Sequence, residues 1–67
     1  MAGFVNAKIW DLTTGEIVKT EDFEKVRALM DSPLPFIVMA SYEHEETGKI
    51  SKRIYINDAA KKLVQDW

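Results

Sequence analysis

The chain has no cysteine among its 67 residues. Disulfides, zinc–thiolate sites, iron–sulfur clusters and thiol catalysis are therefore excluded. Small secreted domains usually depend on such cross-links, so the sequence favours a cytoplasmic protein. The one histidine, His44, has no second imidazole or thiol with which to complete a transition-metal site. We therefore expect no metal and no cofactor.

Long apolar segments and an excess of either charge are also missing. The longest apolar run is Phe36–Ala40, far short of the roughly 20 residues that span a membrane. The N-terminus has neither the basic region nor the apolar core of a signal peptide. Nine basic and eleven acidic residues give a net charge of −2. The sequence thus predicts no membrane association and argues against nucleic acid as the main partner.

What remains is typical of a small folded domain. Hydrophobic residues make up 46% and charged residues 30% of the chain. That composition is too apolar for intrinsic disorder, and the length fits a single domain spanning residues 1–67. A domain of this size buries little surface, so we expect modest stability unless a partner or a second copy adds to it.

The first half of the chain reads as a hairpin followed by a helix. Alternation predicts a strand over Phe4–Trp10, a turn follows, and Ile17–Lys19 is a short return strand. Thr20 is the predicted helix N-cap, with acidic residues in the first turn behind it. Ser32–Pro35 ends the helix, because proline cannot continue it.

The second half repeats this order. Phe36–Glu43 is the strongest predicted strand, a turn around Gly48 follows, and Ile50–Ile56 returns. Asn57 or Asp58 caps a final helix. One stripe of that helix is apolar and is predicted to pack on the sheet: Ala60, Leu63, Val64 and Trp67.

The order ββαββα predicts a two-layer α+β domain, with a four-stranded antiparallel sheet and two helices on one face. The halves are also similar to each other, since Thr14-Gly15 and Ile17 correspond to Thr47-Gly48 and Ile50. This offset raises the possibility of a duplicated ββα unit. The strand order is left open.

The segment Lys8–Val18 resembles the Trp-Asp segment and following hairpin of a WD-repeat blade. A blade has some forty residues in four strands, and a propeller has several blades. The resemblance covers about eleven residues and implies only a strand–turn–strand here.

The second hairpin allows two registers. A two-residue Thr47-Gly48 loop pairs Ser41 with Ile54, whereas a three-residue loop with Gly48 in a left-handed bulge pairs Ala40 with Ile54. The bulge register puts the isoleucines of the return strand on the core face. We therefore predict the bulge register.

In that register Met39 and Tyr55 are cross-strand neighbours on the outer face, beside Arg53. These three residue types are enriched at interfaces, so Met39, Arg53 and Tyr55 are the predicted protein-binding residues. The alternative is weak nucleic-acid binding by the second hairpin and last helix, with an aromatic side chain to stack a base. Its basic residues are Lys49, Lys52, Arg53, Lys61 and Lys62.

No catalytic constellation is apparent. His44 lies among Glu43, Glu45 and Glu46, but strand alternation separates it from the first and second of these, and no nucleophile elbow or phosphate loop is present. We therefore predict a small non-enzymatic accessory or regulatory domain, of the kind found in phages and bacteria. It would bind an unidentified protein partner, and self-association as a homodimer is left open.

Overall fold

The computed structural model describes residues 2–65. Its elements are β1 (Ala2–Asp11), β2 (Ile17–Thr20), α1 (Phe23–Met30), β3 (Phe36–His44), β4 (Ile50–Ile56) and α2 (Asp58–Gln65). The ββαββα order and the α+β class are confirmed, and β4 has the predicted bounds. Among the described residues, no helix is long and apolar enough to cross a membrane.

The sheet has the strand order β2-β1-β3-β4, and every neighbouring pair is antiparallel. The long strands β1 and β3 occupy the centre, so their inward side chains form the core. Ala7, Ile9, Val38 and Ala40 are buried there against Val26 of α1. The face of the sheet that carries these residues is called the helix face below, and the opposite face is called the outer face.

The two ββα halves are built on one plan. In each hairpin a glycine N–H donates to the last residue of the first strand, Gly15 to Asp11 and Gly48 to His44, at 2.7 Å in both cases. The central strands pair Ala7 with Ala40, and these positions are 33 residues apart (40 − 7). The same offset relates Gly15 to Gly48, so an approximate twofold axis passes through the alanine pair. A bulge at Val5 breaks this symmetry on the β1 side.

The predicted register of the second hairpin is wrong by one residue. Gly48 does have a positive φ of 71°, as expected. The loop nevertheless contains four residues, because the His44 N–H donates to the Lys49 carbonyl at 2.9 Å. Val38 therefore lies opposite Tyr55 and Ala40 opposite Arg53. Since side chains alternate along a strand, this shift moves every β4 side chain to the other face.

The start of α1 also differs from the expectation. The N-cap is Asp22, whose carboxylate accepts the Glu24 N–H at 3.0 Å. Thr20 remains the last residue of β2, and its hydroxyl accepts the Asp22 N–H. Thr20 thus supports the turn into the helix, and the capping role passes two residues along the chain.

Helix α2 packs through its first turn only. Ala60 is buried, whereas Leu63 and Val64 are 48% and 58% exposed. The predicted packing of the whole stripe over the sheet is therefore wrong for these two residues, and Trp67 lies outside the described residues. An open groove of about 590 Å³ separates α2 from the segment that follows α1.

Asn57 holds α2 to the rest of the domain. Its side chain is 1% exposed, and its Oδ1 accepts the N–H groups of Phe36 and Ala60 at 3.1 and 3.0 Å. Its Nδ2 donates to the carbonyls of Leu29 and Leu34 at 3.1 and 2.7 Å. One amide thus caps α2 while it joins β3, the last turn of α1 and the loop between them.

Replacement of Asn57 separates its two roles. Aspartate caps helices as well as asparagine, but it has no N–H for the carbonyls of Leu29 and Leu34. We expect Asn57→Asp to lower the free energy of unfolding by about 2–4 kcal/mol, since it places a carboxylate against two part-buried carbonyls that lose their donor. Urea unfolding measures this loss. A variant as stable as the native chain would show that capping is the only role of Asn57.

The glycines give a second test. An added Cβ at Gly15, Gly48 or Gly3 meets no atom within 4 Å, and only Gly15 and Gly48 have positive φ. Gly15→Ala and Gly48→Ala should therefore each cost about 1 kcal/mol through the backbone alone. Thermal unfolding should show Gly3→Ala, the control in β1, within about 0.5 kcal/mol of the native chain. Equal losses in all three variants would contradict a role for the left-handed conformation.

Candidate functional site

The outer face carries a continuous apolar row. Ile17, Trp10, Ile37 and Ile56 lie opposite one another across all four strands. Met39 and Ile54 are paired in the next row, and Ile54 is 67% exposed. These six residues are named the outer patch. Both helices begin on the opposite face, and within the described part of the chain nothing covers the patch.

The charges of the outer face differ in sign from the net charge of the chain. Lys19 and Lys8 are paired in the same row as Met39, and Lys52 lies opposite Ser41 in the row after it. Glu43 is the one carboxylate that the four strands present on this face. Three positive charges against one negative give the outer face a local charge of +2 (3 − 1) in a chain of −2.

A shallow cavity adjoins the outer patch. Its volume is about 120 Å³, and it lies beside Met39 between two of the lysines, Lys8 and Lys52. The hydroxyl of Ser41 and the amide of Asn6 complete its lining. The surface therefore combines apolar contact area with positive charge and neutral hydrogen-bonding groups at one edge.

The predicted protein-binding residues do not lie together. Met39 is on the outer face as expected, but its partner across the sheet is Ile54. Tyr55 and Arg53 are on the helix face, where Tyr55 packs against the core. The expected Met39–Tyr55 neighbour pair is thus absent, as a direct result of the shifted register.

The basic residues of the nucleic-acid alternative are also dispersed. Lys52 is on the outer face and Arg53 is on the helix face, whereas Lys49 precedes β4 in the turn. Lys61 and Lys62 belong to α2, which begins at the other end of β4 from the turn. At about 3.3 Å per residue, β4 separates these two groups by roughly 20 Å.

A second site that the sequence did not predict lies on the helix face beside the second hairpin. A groove of about 290 Å³ is lined there by Tyr42, His44, Ser51, Arg53 and Tyr55. The side chains of these five residues are polar, and all five come to one face because of the observed register. They are named the polar groove. The sequence contained the signal, an alternation of polar residues in both strands, but the predicted register divided it between two faces.

Two hydrogen bonds organise the polar groove. The hydroxyl groups of Tyr42 and Tyr55 are 3.0 Å apart, and His44 Nε2 is 2.7 Å from the Ser51 hydroxyl. Burial and the hydrogen bond to Tyr55 raise the pKa of the Tyr42 phenol to about 12. Tyr42 is therefore a neutral hydroxyl at physiological pH. The Phe4 and Tyr42 rings pack edge to face, with centroids 5.9 Å apart, and this contact fixes the position of Tyr42.

The acidic residues around His44 do not assemble into a cluster. Among residues 2–65, no three histidine, aspartate or glutamate side chains are placed to hold a metal ion. His44 instead bonds to Ser51, and Glu43 projects from the other face of β3.

No family model, curated protein or solved structure matches this chain. The outer patch and the polar groove are therefore the two candidate sites from which we infer function.

The shifted register reverses the expected roles of two neighbouring residues. Ile54→Ala should change the free energy of unfolding by less than about 0.5 kcal/mol, because Ile54 is exposed. Tyr55→Ala should cost about 2 kcal/mol, since it removes core contacts and the bond to Tyr42. Chemical denaturation of both variants measures the difference. A larger loss of stability for Ile54→Ala than for Tyr55→Ala would support the register predicted from the sequence.

Proposed function

We propose that this chain is a non-enzymatic interaction domain that binds an acidic, partly apolar polypeptide segment across its outer patch. The observation that carries the proposal is the apolar row of exposed Ile17 and Trp10 with half-buried Ile37 and Ile56, which is bordered by lysines. Contiguous apolar surface with a polar rim is typical of sites of association.

The charge pattern favours an acidic partner over a second copy. A face-to-face homodimer would bring the lysines of two outer faces together, and like charges at an interface are unfavourable. An acidic segment would instead place carboxylates near Lys8, Lys19 and Lys52 while its apolar side chains covered the patch. Self-association through this face is therefore the second candidate.

The outer face is poorly suited to bind nucleic acid. Single-stranded nucleic acid binds to platforms on which successive bases stack on aromatic rings. The four strands present one aromatic ring on the outer face, Trp10, because Tyr42 and Tyr55 lie on the helix face. Four aligned apolar side chains fit a polypeptide better than a row of bases.

Selection from a random displayed peptide library tests the proposal. With the native chain as bait, we expect enriched peptides to combine aspartate or glutamate with apolar residues. Synthetic copies should bind Lys8→Glu and Ile54→Ser more than about tenfold more weakly, as hot-spot changes do. The control Lys61→Glu, on α2, should bind like the native chain.

Two further measurements test whether a second copy of the chain or a nucleic acid occupies the outer patch instead. Light scattering that shows a dimer, dissociated by Ile54→Ser, would assign the patch to a second copy. Saturable binding of an oligothymidylate, lost in Trp10→Ala, would assign the patch to nucleic acid. Enriched peptides without acidic residues, or binding that is insensitive to both outer-face variants, would overturn the proposal.

A further inference from the structure

The polar groove has the features of a site for a small anion. It is concave, it is lined by side chains that donate hydrogen bonds, and none of its lining residues is acidic. We propose that the polar groove binds a phosphate group, either free or as a monoester. This site is separate from the outer patch, since Arg53 and Ile54 project from opposite faces of β4.

Arg53 supplies the permanent positive charge. Its guanidinium is exposed, and the one ion pair among residues 2–65 joins Arg27 to Glu24 on α1. Arg53 is therefore without a carboxylate partner in the described part of the chain. A guanidinium of this kind presents several N–H groups in the geometry that a phosphate accepts.

The tyrosine pair supplies a neutral donor. One hydroxyl donates to the other across 3.0 Å, which leaves one O–H free to donate into the groove. Ionisation would remove that donor, but the raised pKa of Tyr42, about 12, keeps this phenol protonated at physiological pH.

The His44–Ser51 pair supplies a donor on the other side. When His44 Nε2 carries a proton, it donates to the Ser51 oxygen across 2.7 Å, and the Ser51 O–H is free.

The first half of the chain has different residues at the positions equivalent to the polar groove. The polar residues of the groove therefore do not follow from the similarity of the two halves. An offset of 33 relates Tyr42, Ser51 and His44 to Ile9, Val18 and Asp11. Those three counterparts line a cavity of about 140 Å³ that includes Leu29 of α1. The second half thus has Tyr42 and Ser51 where the first has the apolar residues Ile9 and Val18. It also has His44 and Lys49 where the first has Asp11 and Glu16, so the local charge is reversed.

The arrangement of donors favours phosphate over carboxylate. A planar carboxylate would be satisfied by the two parallel N–H groups of Arg53 alone. The groove instead offers further hydrogen-bond donors from both β3 and β4, which suit the several oxygens of a tetrahedral anion. The volume, about 290 Å³, equals roughly ten water molecules and accommodates a phosphate with the atoms attached to it.

Nuclear magnetic resonance titration of the full chain tests the proposal. The probes are inorganic phosphate, phenyl phosphate and benzoate, each at constant ionic strength. We expect saturable shifts of the Ser51, Arg53 and Tyr55 amides with at least one phosphate probe, at a Kd of about 1 mM or tighter. Equal binding of both phosphate probes indicates a site for the free ion, and a preference for phenyl phosphate indicates a monoester. Benzoate should bind about tenfold more weakly.

Charge-matched variants separate this site from general attraction. Arg53→Gln should weaken phosphate binding about tenfold or more, while Lys61→Gln on α2 should change it less than about twofold. The same spectra show whether each variant is folded, and Tyr42→Phe is a second test that leaves the charge unchanged. Absence of saturable shifts, equal binding of benzoate, or equal weakening by Lys61→Gln would each overturn the proposal. None of these outcomes depends on the outer patch.

Discussion

The buried amide of Asn57 is the constraint on which the placement of α2 depends. A helix of eight residues is not stable alone, and the apolar side chains Leu63 and Val64 remain largely exposed. Packing therefore contributes little beyond Ala60. The four hydrogen bonds of the Asn57 side chain compensate, because they satisfy the N-terminus of α2, the first residue of β3, one carbonyl in the last turn of α1 and one carbonyl in the α1–β3 connection. No buried polar side-chain atom of the described residues is left without a partner.

A single residue of loop length decides which chemistry each face of β4 presents. Three-residue and four-residue loops both place Gly48 at positive φ, so the glycine does not distinguish them. The apolar pattern of Ile50, Ile54 and Ile56 suggested a core face. The structure instead places these three on the outer face and gives the helix face to Ser51, Arg53 and Tyr55. The polar groove and the β4 part of the outer patch both result from this one shift.

Features set by residues close together in the sequence were predicted, whereas features set by contacts between distant segments were not. Strand and helix bounds depend on nearby turns, caps and prolines, so β4 and the end of α1 before Pro33 were predicted well. Strand order and register depend on contacts between distant segments, which periodicity does not encode. The expectation of one apolar and one polar sheet face failed because both faces of β3 are apolar near Val38 and Met39. The polar groove needed the correct register and was therefore missed.

The approximate symmetry shows where the two halves have diverged and why that matters for function. Both hairpins have the same turn, with Gly15 and Gly48 in equivalent positions. In the first half α1 lies over the sheet and its inward residues are apolar. In the second half β4 is longer than β2 by three residues (7 − 4), and α2 begins correspondingly later. The helix then lies at the far end of the strand, and the groove beside the turn stays open. Polar residues at those positions suit a surface that no helix covers.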